Sequence, residues 1–288
     1  MGSLSGKIAV VTGASRGIGK GIALAFAAEG ATVYVTARTA RPGSHSLPGS
    51  IAETLLEIER RGGTGIGVQV DHRKDDQVAA LFEQVYRDHH RLDILVNNAF
   101  SLPETLTEPR PFWEKPLDYW QMVDVGVRSS YVAAWHAARI MVPQKSGLIV
   151  ATSGYAGVSY AYAVVFGMCK VAVDRMAHDM AIELQPHKVT SLSLCLNLAL
   201  TERAEQNLKR YPELSSAITT TRSTGTSVEF PGRLIAALAN DPDILRRSGG
   251  TYIAVELATE YGVTDDDGNL PPSLRDQRGA TLWSPISE

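Results

Sequence analysis

Two side chains that could take part in catalysis lie at a fixed spacing near the middle of the sequence. Ser153 carries a hydroxyl group and Lys170 an ammonium group, and Phe166 stands between them, four residues before the lysine. Residues at i and i+4 share one face of a helix, so the Phe166 ring and the Lys170 ammonium are expected to be neighbours. Phenylalanine has no proton to give. The group therefore offers a hydroxyl and a cation but no acid at position 166.

A glycine-rich segment near the amino terminus has the composition of a phosphate-binding loop. The apolar run Lys7–Thr12 is predicted to be a buried strand, and a helical pattern begins at Ile22. The sequence between them permits a tight turn, a close backbone approach to a pyrophosphate and free amides at a helix start. A glycine-rich turn alone can also be a simple loop. The cofactor contacts predicted in this segment are Gly13, Ser15, Arg16, Gly17, Ile18 and Gly19.

The residues after the second predicted strand indicate which dinucleotide is bound. An acidic side chain at this place would bind the ribose 2′-hydroxyl and repel a 2′-phosphate. Here the strand Thr32–Thr36 is followed by Ala37 and Arg38, and Arg16 adds a second guanidinium. Planar guanidinium groups suit phosphate, so NADP(H) is predicted in preference to NAD(H). The alternative is that both arginines are solvated surface charges.

Further motifs occur in the order known from one protein family. Asn97-Asn98-Ala99 follows the fourth predicted strand, Ser153 follows the fifth, and Thr201 lies shortly after the sixth. Together with the glycine loop and Lys170, they make residues 4–255 resemble the short-chain dehydrogenase/reductases. The resemblance implies further cofactor contacts from Asp71, Asn98, Ala99, Lys170, Leu198 and Thr201. Asp71 at the end of its strand could equally cap the following helix.

The resemblance also implies the architecture. We predict one α/β domain, a Rossmann fold with a doubly wound, seven-stranded parallel sheet over residues 1–255, with a substrate lid at about 202–230. The extension 256–288 is predicted to pack on the same domain. The proline-rich stretch Ser101–Pro116 is predicted to be a loop, followed by one helix over Leu117–Met141. The remaining predicted strands are Gly65–Val70, Leu92–Val96, Leu148–Thr152, Thr190–Leu196 and Thr251–Val255.

The sequence departs from the family pattern around the expected active site. In the family a tyrosine stands at position 166 and protonates the substrate, and an asparagine at position 124 holds a water linked to the lysine. This chain has Phe166 and Asp124 at those places, and Phe100 replaces the glycine after Asn-Asn-Ala. The Pro-Gly turn after the sixth strand is replaced by a segment that begins at Asn197, a residue that tolerates left-handed backbone angles.

These departures suggest a reaction that needs no proton donor. Loss of a positioned acid typically costs about 10²- to 10⁴-fold in rate, and a carboxylate beside a forming alkoxide is unfavourable. A carboxylate about 4 Å from an iminium cation would instead attract that cation by roughly 4 kcal/mol at an effective dielectric near 20. We therefore predict NADPH-dependent reduction of an iminium or imine, with Arg128 orienting the intermediate from the face that it shares with Asp124. The predicted catalytic residues are Asp124, Arg128, Ser153, Phe166 and Lys170.

Relatives without the tyrosine are known in fungal indole alkaloid pathways, where they reduce an iminium or imine and then direct a Diels–Alder cyclisation. The sequence resembles these bifunctional enzymes in its missing tyrosine and Pro-Gly and in its retained cofactor loop. Two alternatives are an ordinary carbonyl reductase with Tyr160 or Tyr162 as proton donor, and a redox-silent NADP-binding protein. A further alternative is that Asp124 only pairs with Lys170 or Arg128.

The composition restricts the other classes of partner. A net charge of −3 and a pI near 6.2 provide no basic surface for nucleic acid. Cys169 and Cys195 are too few for a disulfide framework and lack metal-ligand spacing, so no metal is predicted. No apolar run approaches about 18 residues, so neither membrane spanning nor secretion is expected. We expect a cytoplasmic homodimer or homotetramer that acts on a bulky, aromatic small molecule.

Overall fold

A single parallel sheet organises the protein, whose computed structural model describes residues 2–210 and 224–286. Its strands are β1 (Ile8–Thr12), β2 (Thr32–Ala37), β3 (Thr64–Gln69), β4 (Ile94–Asn97), β5 (Gly147–Gly154), β6 (Val189–Leu196) and β7 (Thr251–Ile253). They lie in the order β3-β2-β1-β4-β5-β6-β7. Every neighbouring pair is parallel.

Helices cover both faces of this sheet. They are α1 (Gly17–Ala28), α2 (Ile51–Arg60), α3 (Asp75–His89), α4 (Ser129–Gln144), α5 (Val164–Leu184), α6 (Glu202–Arg210), α7 (Phe230–Ala239), α8 (Ala254–Glu260) and α9 (Arg275–Arg278). Alternate residues of β1 enter different cores. Ala9 and Val11 pack with α1 and α7, whereas Ile8 and Val10 pack with α3 and α4. The predicted doubly wound, seven-stranded α/β fold is therefore confirmed.

The order of the strands defines where a ligand can bind. β1 pairs with β2 on one side and with β4 on the other, so the direction of winding reverses between β1 and β4. In open α/β sheets the ligand crevice lies outside the carboxyl ends of the strands at such a reversal. The glycine loop follows β1, and Asn98 follows β4. Both motifs consequently lie at the mouth of this crevice.

The predicted continuous helix over Leu117–Met141 is replaced by three different segments. A 3₁₀ turn at Leu117–Trp120 precedes a π-helix at Val123–Arg128, and only then does α4 begin. The hydroxyl of Ser130 donates to the carbonyl of Gly126 at 2.7 Å, in the back-bonding pattern that bends helices. Hydrophobic periodicity does not distinguish a π-helix from an α-helix over so few residues, so the sequence pattern missed this change.

The C-terminal segment contacts the domain at several points. The amide of Thr251 in β7 donates to the carbonyl of Trp283 at 2.9 Å, and the amide of Ile286 donates to the carbonyl of Ser248 at 3.0 Å. The Trp283 ring packs against His178 of α5, with 5.2 Å between ring centroids. Of the predicted lid, the structure describes α6 and residues 224–230, and 211–223 lie outside the described residues. Within the described part of the chain, none of the helices combines the length and apolarity needed to cross a bilayer.

Candidate active site

The first part of the site is a backbone cradle built by the ends of β1 and β4. Thr12 joins the two strands, because its hydroxyl accepts the amides of Asn98 and Ala99 at 2.9 Å each. The Asn98 side chain donates back to the carbonyl of Thr12 at 2.9 Å. Gly13 has φ +69°, and a Cβ there would lie 2.8 Å from the Cα of Ala99. Only glycine fits at this position, so the close approach of the two strand ends depends on it.

The start of α1 presents backbone amides to this cradle. Gly17 has φ +53°, and its amide donates to the Oε2 atom of Glu202 at 2.9 Å. A Cβ on Gly19 would lie 2.3 Å from the Asn98 amide nitrogen, so this glycine also permits close packing. Ser15 is buried beside the loop, and Ile18 packs on the apolar core. The loop already binds a carboxylate oxygen, and this fits the pyrophosphate of a nicotinamide dinucleotide.

Arg16 is tied to a neighbouring loop. Its guanidinium donates to the carbonyls of Pro48 and Gly49 at 2.9 and 2.6 Å and to the hydroxyl of Thr39 at 3.2 Å. The structure thus uses three of the five guanidinium donors on this loop and on Thr39, whereas the sequence analysis directed them at a 2′-phosphate. Arg16 braces the glycine loop against residues 41–50.

Arg38 remains available at the adenosine end. It is exposed and lines a pocket of about 360 Å³ together with Gln69, Asp71 and Gln77. The Asp71 carboxylate already binds Arg73, with a shortest distance of 2.7 Å, and this hydrogen bonding lowers its pKa to about 2. Asp71, which was predicted to contact the cofactor, is therefore charged and paired with Arg73, and Arg38 is the cation among the described residues that line this pocket.

The catalytic group comes from β5 and α5. Ser153 lies buried near the end of β5, with its hydroxyl beside the Asp174 carboxyl. Lys170 donates to the carbonyl of Thr152 at 3.2 Å, which brings the ammonium to the same strand end. α5 contains both Phe166 and Lys170, as the i and i+4 spacing predicts. The structure therefore brings Ser153, Phe166 and Lys170 together.

Aromatic rings cover this group. The rings of Phe100 and Phe166 meet edge to face with 5.8 Å between centroids, and the Phe166 and Tyr162 rings lie 5.6 Å apart. The Lys170 ammonium lies 4.6 Å from the Phe100 centroid and 5.8 Å from that of Phe166. Both distances are within the range of a cation–π interaction. Phe100 and Phe166, the two residues that depart from the family pattern here, thus form one aromatic wall.

Tyr162, whose ring contacts this wall, has a strained backbone conformation. It has φ +60°, a rare value for a bulky residue, and it precedes α5. Its carbonyl accepts a hydrogen bond from Lys115 in the proline-rich loop at 2.5 Å. The Tyr162 ring reaches the site through Phe166, and burial raises the pKa of its hydroxyl. Tyr162 lies outside α5, which begins at Val164, so it does not share a regular helix with Lys170.

One buried acid was missed by the sequence analysis. Asp174 lies one helical turn after Lys170 and is 5% exposed, and its Oδ1 atom has no hydrogen-bond partner among the described residues. Burial raises its pKa to about 6, although the hydroxyls of Ser153 and Ser193 and the charge of Lys170 act in the opposite direction. Burial likewise lowers the pKa of Lys170, and Asp174 is the charge that opposes this most strongly. The sequence feature that could have identified this acid is its spacing of four residues from Lys170, which places both side chains on one helix face.

Arg128 binds another partner, while Asp124 is partly buried in the π-helix. Arg128 donates to both carboxylate oxygens of Asp75, at 2.6 and 2.5 Å, and its side chain is half exposed. The pKa of Arg128 is raised first by Asp75 and only weakly by Asp124, whose charge also acts on Arg73. The structure therefore assigns Arg128 to a surface ion pair rather than to the orientation of an intermediate.

The turn after β6 differs from the expectation based on backbone angles. Asn197 is buried and does not adopt left-handed angles, and its side chain donates to the carbonyl of Thr224 at 2.7 Å. Leu198 is 47% exposed. The Thr201 hydroxyl accepts the amide of Ala204 at 3.3 Å and so caps α6. A cofactor contact from Thr201 would have to share the hydroxyl that makes this cap.

Comparisons with known proteins agree with the fold and the cradle. The sequence matches the short chain dehydrogenase family over residues 7–211. It is 38% identical over 273 residues to dehydrogenase/reductase SDR family member 1 of Mus musculus, which covers 92% of this chain and 85% of that protein.

Two solved structures are also similar. A short-chain type dehydrogenase/reductase from Mycobacterium marinum has a TM-score of 0.72 and 29% identity, covering 87% of this chain and 94% of that one. A metagenomic short-chain oxidoreductase in complex with NADP has a TM-score of 0.67 and 26% identity, covering 84% and 94%. Since the family match extends from β1 to α6 and the mouse relative aligns along almost the whole sequence, this chain belongs to the short-chain dehydrogenase family.

Proposed function

We propose that this protein is an NADP(H)-dependent reductase whose substrate accepts hydride without needing a proton at the same step, with an iminium ion or protonated imine as the substrate class. The observation that carries the proposal is the Phe166 ring, which stands four residues before Lys170 and packs on Phe100. A positioned acid is worth about 10²- to 10⁴-fold in ketone reduction. An iminium becomes a neutral amine on accepting hydride, so the loss of that acid costs its reduction nothing.

The groups around the site suit a flat, cationic substrate. The rings of Phe100, Phe166 and Tyr162 lie in edge-to-face contact and provide an apolar wall. Aromatic faces attract cations, and the proposal is supported by the Lys170 ammonium, which already lies 4.6 Å from the Phe100 ring centroid. The counter-charge that the sequence analysis assigned to Asp124 is better supplied by Asp174, since Asp174 is the buried carboxyl that acts on Lys170.

The cofactor in this proposal is NADP(H), which would supply the hydride. The glycine loop and Asn98 would hold its pyrophosphate end, and Arg38 would face the 2′-phosphate from the pocket it lines. Lys170 would lie at the nicotinamide end together with Ser153. Support comes from the exposed position of Arg38 and from the similar structure that holds NADP.

A second candidate is a carbonyl reductase in which Tyr162 gives the proton. The contact between the Tyr162 and Phe166 rings favours it, because it brings a phenol next to position 166. The raised pKa of Tyr162 opposes fast proton release to solvent but leaves the phenol protonated and able to donate. This candidate predicts that ketone reduction depends on the Tyr162 hydroxyl.

The experiment compares wild type with Tyr162→Phe on matched cyclic imines and ketones, with NADPH oxidation and product analysis as readouts. We expect imine reduction in both proteins and little ketone reduction in either. Ketone turnover that disappears in Tyr162→Phe would establish the second candidate. Cofactor binding without NADPH oxidation on any substrate would indicate the redox-silent class. The Diels–Alder cyclisation rests on the resemblance alone, and chiral analysis of the same products tests it.

We also propose that the protein forms a homodimer or homotetramer through α4 and α5. Large apolar side chains are exposed on both helices, among them Tyr131, Trp135, Met168 and Ile182. Exposed apolar groups of this size are typical of interaction surfaces. Light scattering of wild type and Trp135→Glu tests the proposal, and a monomeric wild type would exclude it.

A further inference from the structure

We infer that Glu202 is a built-in competitor for the cofactor: its carboxylate occupies the backbone anion site at the start of α1 and must leave when the pyrophosphate of a dinucleotide binds. The inference rests on the cofactor half of the proposed function and is independent of the substrate. It adds Glu202, which none of the motifs identifies, to the residues that determine cofactor affinity.

The contact itself joins two distant parts of the chain. The Gly17 amide donates to Glu202 Oε2 at 2.9 Å, across 185 residues of sequence. Gly17 is the first residue of α1, a helix of 12 residues, where free amides and the helix dipole favour an anion. Hydrogen bonds from an amide to a carboxylate are stronger than those between neutral groups. Glu202 thus binds the loop in the same way as a phosphate oxygen.

The beginning of α6 holds the carboxylate in place. The Thr201 hydroxyl caps this helix by accepting the Ala204 amide at 3.3 Å, and the Glu205 amide donates to the Thr201 carbonyl at 2.9 Å. A Cβ on Gly17 would lie 3.2 Å from the Thr201 methyl group, so this capping turn lies directly on the glycine loop. Glu202 follows the cap immediately. Its position is therefore a consequence of how α6 starts.

The charges nearby agree with this assignment. Arg16 is partly buried in the same loop, and its pKa is lowered mainly by desolvation, while Glu202 is the largest influence in the opposite direction. Glu202 therefore compensates a guanidinium that a dinucleotide phosphate would otherwise compensate. When a dinucleotide phosphate replaces the Glu202 carboxylate, an anion still lies beside the Arg16 guanidinium.

The Glu202 contact should lower the affinity of the protein for some ligands and not for others. Ligands that place a pyrophosphate on the Gly17 amide must displace Glu202, whereas ligands that bind only at the Arg38 end need not. NADPH belongs to the first kind and 2′-AMP to the second. Removing the competing contact is expected to tighten NADPH binding by about tenfold, the effect of one charge-assisted hydrogen bond, and to leave 2′-AMP unchanged.

The test is calorimetric titration of NADPH and 2′-AMP into wild type and three variants of the full chain. Glu202→Gln removes the charge, and Glu202→Asp keeps the charge but shortens the side chain by one methylene group. Glu205→Gln is the matched control, because it removes an exposed acid from the same helix. We expect tighter NADPH binding in both Glu202 variants and wild-type affinity in Glu205→Gln, with 2′-AMP binding equal throughout.

Three results would overturn the inference. Equal NADPH affinity in wild type and Glu202→Gln would show that the carboxylate does not compete, while NADPH binding itself would leave the proposed function intact. A gain in Glu202→Gln that Glu205→Gln reproduces and Glu202→Asp lacks would show a general charge effect. Absence of NADPH binding in all four proteins would overturn both the inference and the proposed function.

Discussion

The ammonium of Lys170 lies 4.6 Å from the centre of the Phe100 ring, the residue that stands where the family pattern has glycine. The Phe166 ring meets the same phenylalanine edge to face. In the family pattern this lysine lies next to a tyrosine. Here it is flanked by two phenylalanine rings, which have no acidic proton to donate. Restoring the tyrosine alone would leave one of these rings in place.

We accordingly expect Phe166→Tyr to raise ketone reduction by less than about tenfold, well below the contribution of a properly positioned acid. Phe100 still occupies the space beside Lys170, and the turn after β6 is held by the Asn197 side chain instead of a Pro-Gly pair. Values of kcat/KM with NADPH on a panel of ketones measure this. Phe166→Leu serves as control, and a gain of several hundredfold in Phe166→Tyr would contradict the expectation.

Cofactor preference should depend on Arg38 more than on Arg16. Arg38→Ala is expected to weaken NADPH binding by about tenfold and to leave NADH binding nearly unchanged, because a 2′-phosphate loses its guanidinium partner. Arg16→Ala should weaken both cofactors, since Arg16 braces the glycine loop through Pro48 and Gly49. Fluorescence titration of both cofactors distinguishes the two effects. Equal wild-type affinity for NADPH and NADH would refute the assignment.

Gly126 should be required by the Phe100 ring. A Cβ at position 126 would lie 2.3 Å from the Phe100 Cε2 atom, so Gly126→Ala is expected to cost about 1–3 kcal/mol of unfolding free energy through overpacking. The loss should shrink in a Phe100→Ala background, which a double-mutant cycle in urea measures. Gly154→Ala is the matched control, because its nearest contact would be 3.8 Å away. Additive costs would show that the two positions are independent.

Two buried groups should give opposite pH dependences of stability. Burial raises the pKa of Asp174 to about 6, so the folded state holds this proton more tightly and the stabilising contribution is lost as pH rises from about 4 to 6. Burial lowers the pKa of His72 to about 4, so its contribution is present above about pH 6.5 and is lost as pH falls toward 4. The two effects, each about 3 kcal/mol, largely cancel in the wild type.

Asp174→Asn should therefore reveal the His72 dependence, with the unfolding free energy rising by about 3 kcal/mol more than in wild type between pH 4 and 6.5. His72→Gln should show the reverse, a fall over the same range. Urea unfolding at a series of pH values measures both. Parallel profiles for wild type and Asp174→Asn would mean that Asp174 does not titrate in this window.

The sequence by itself determined the fold and the main departure from the family. Alternating strand and helix patterns, a glycine loop after β1 and Asn98 after β4 are local features, and the family resemblance that they carry implies the arrangement of the sheet. The absence of a proton at Phe166 is likewise visible in the sequence, because spacing from Lys170 within one helix defines its place.

Only the tertiary structure decided which partner each charged side chain takes. Arg16 binds the loop at Pro48, Arg128 binds Asp75, and Glu202 binds the Gly17 amide. Each of these partners is far away in sequence, and side-chain charges carry no information about which distant group they will meet. The contact between Gly126 and Phe100 is likewise visible only in the folded chain, where a Cβ on Gly126 would lie 2.3 Å from the Phe100 ring.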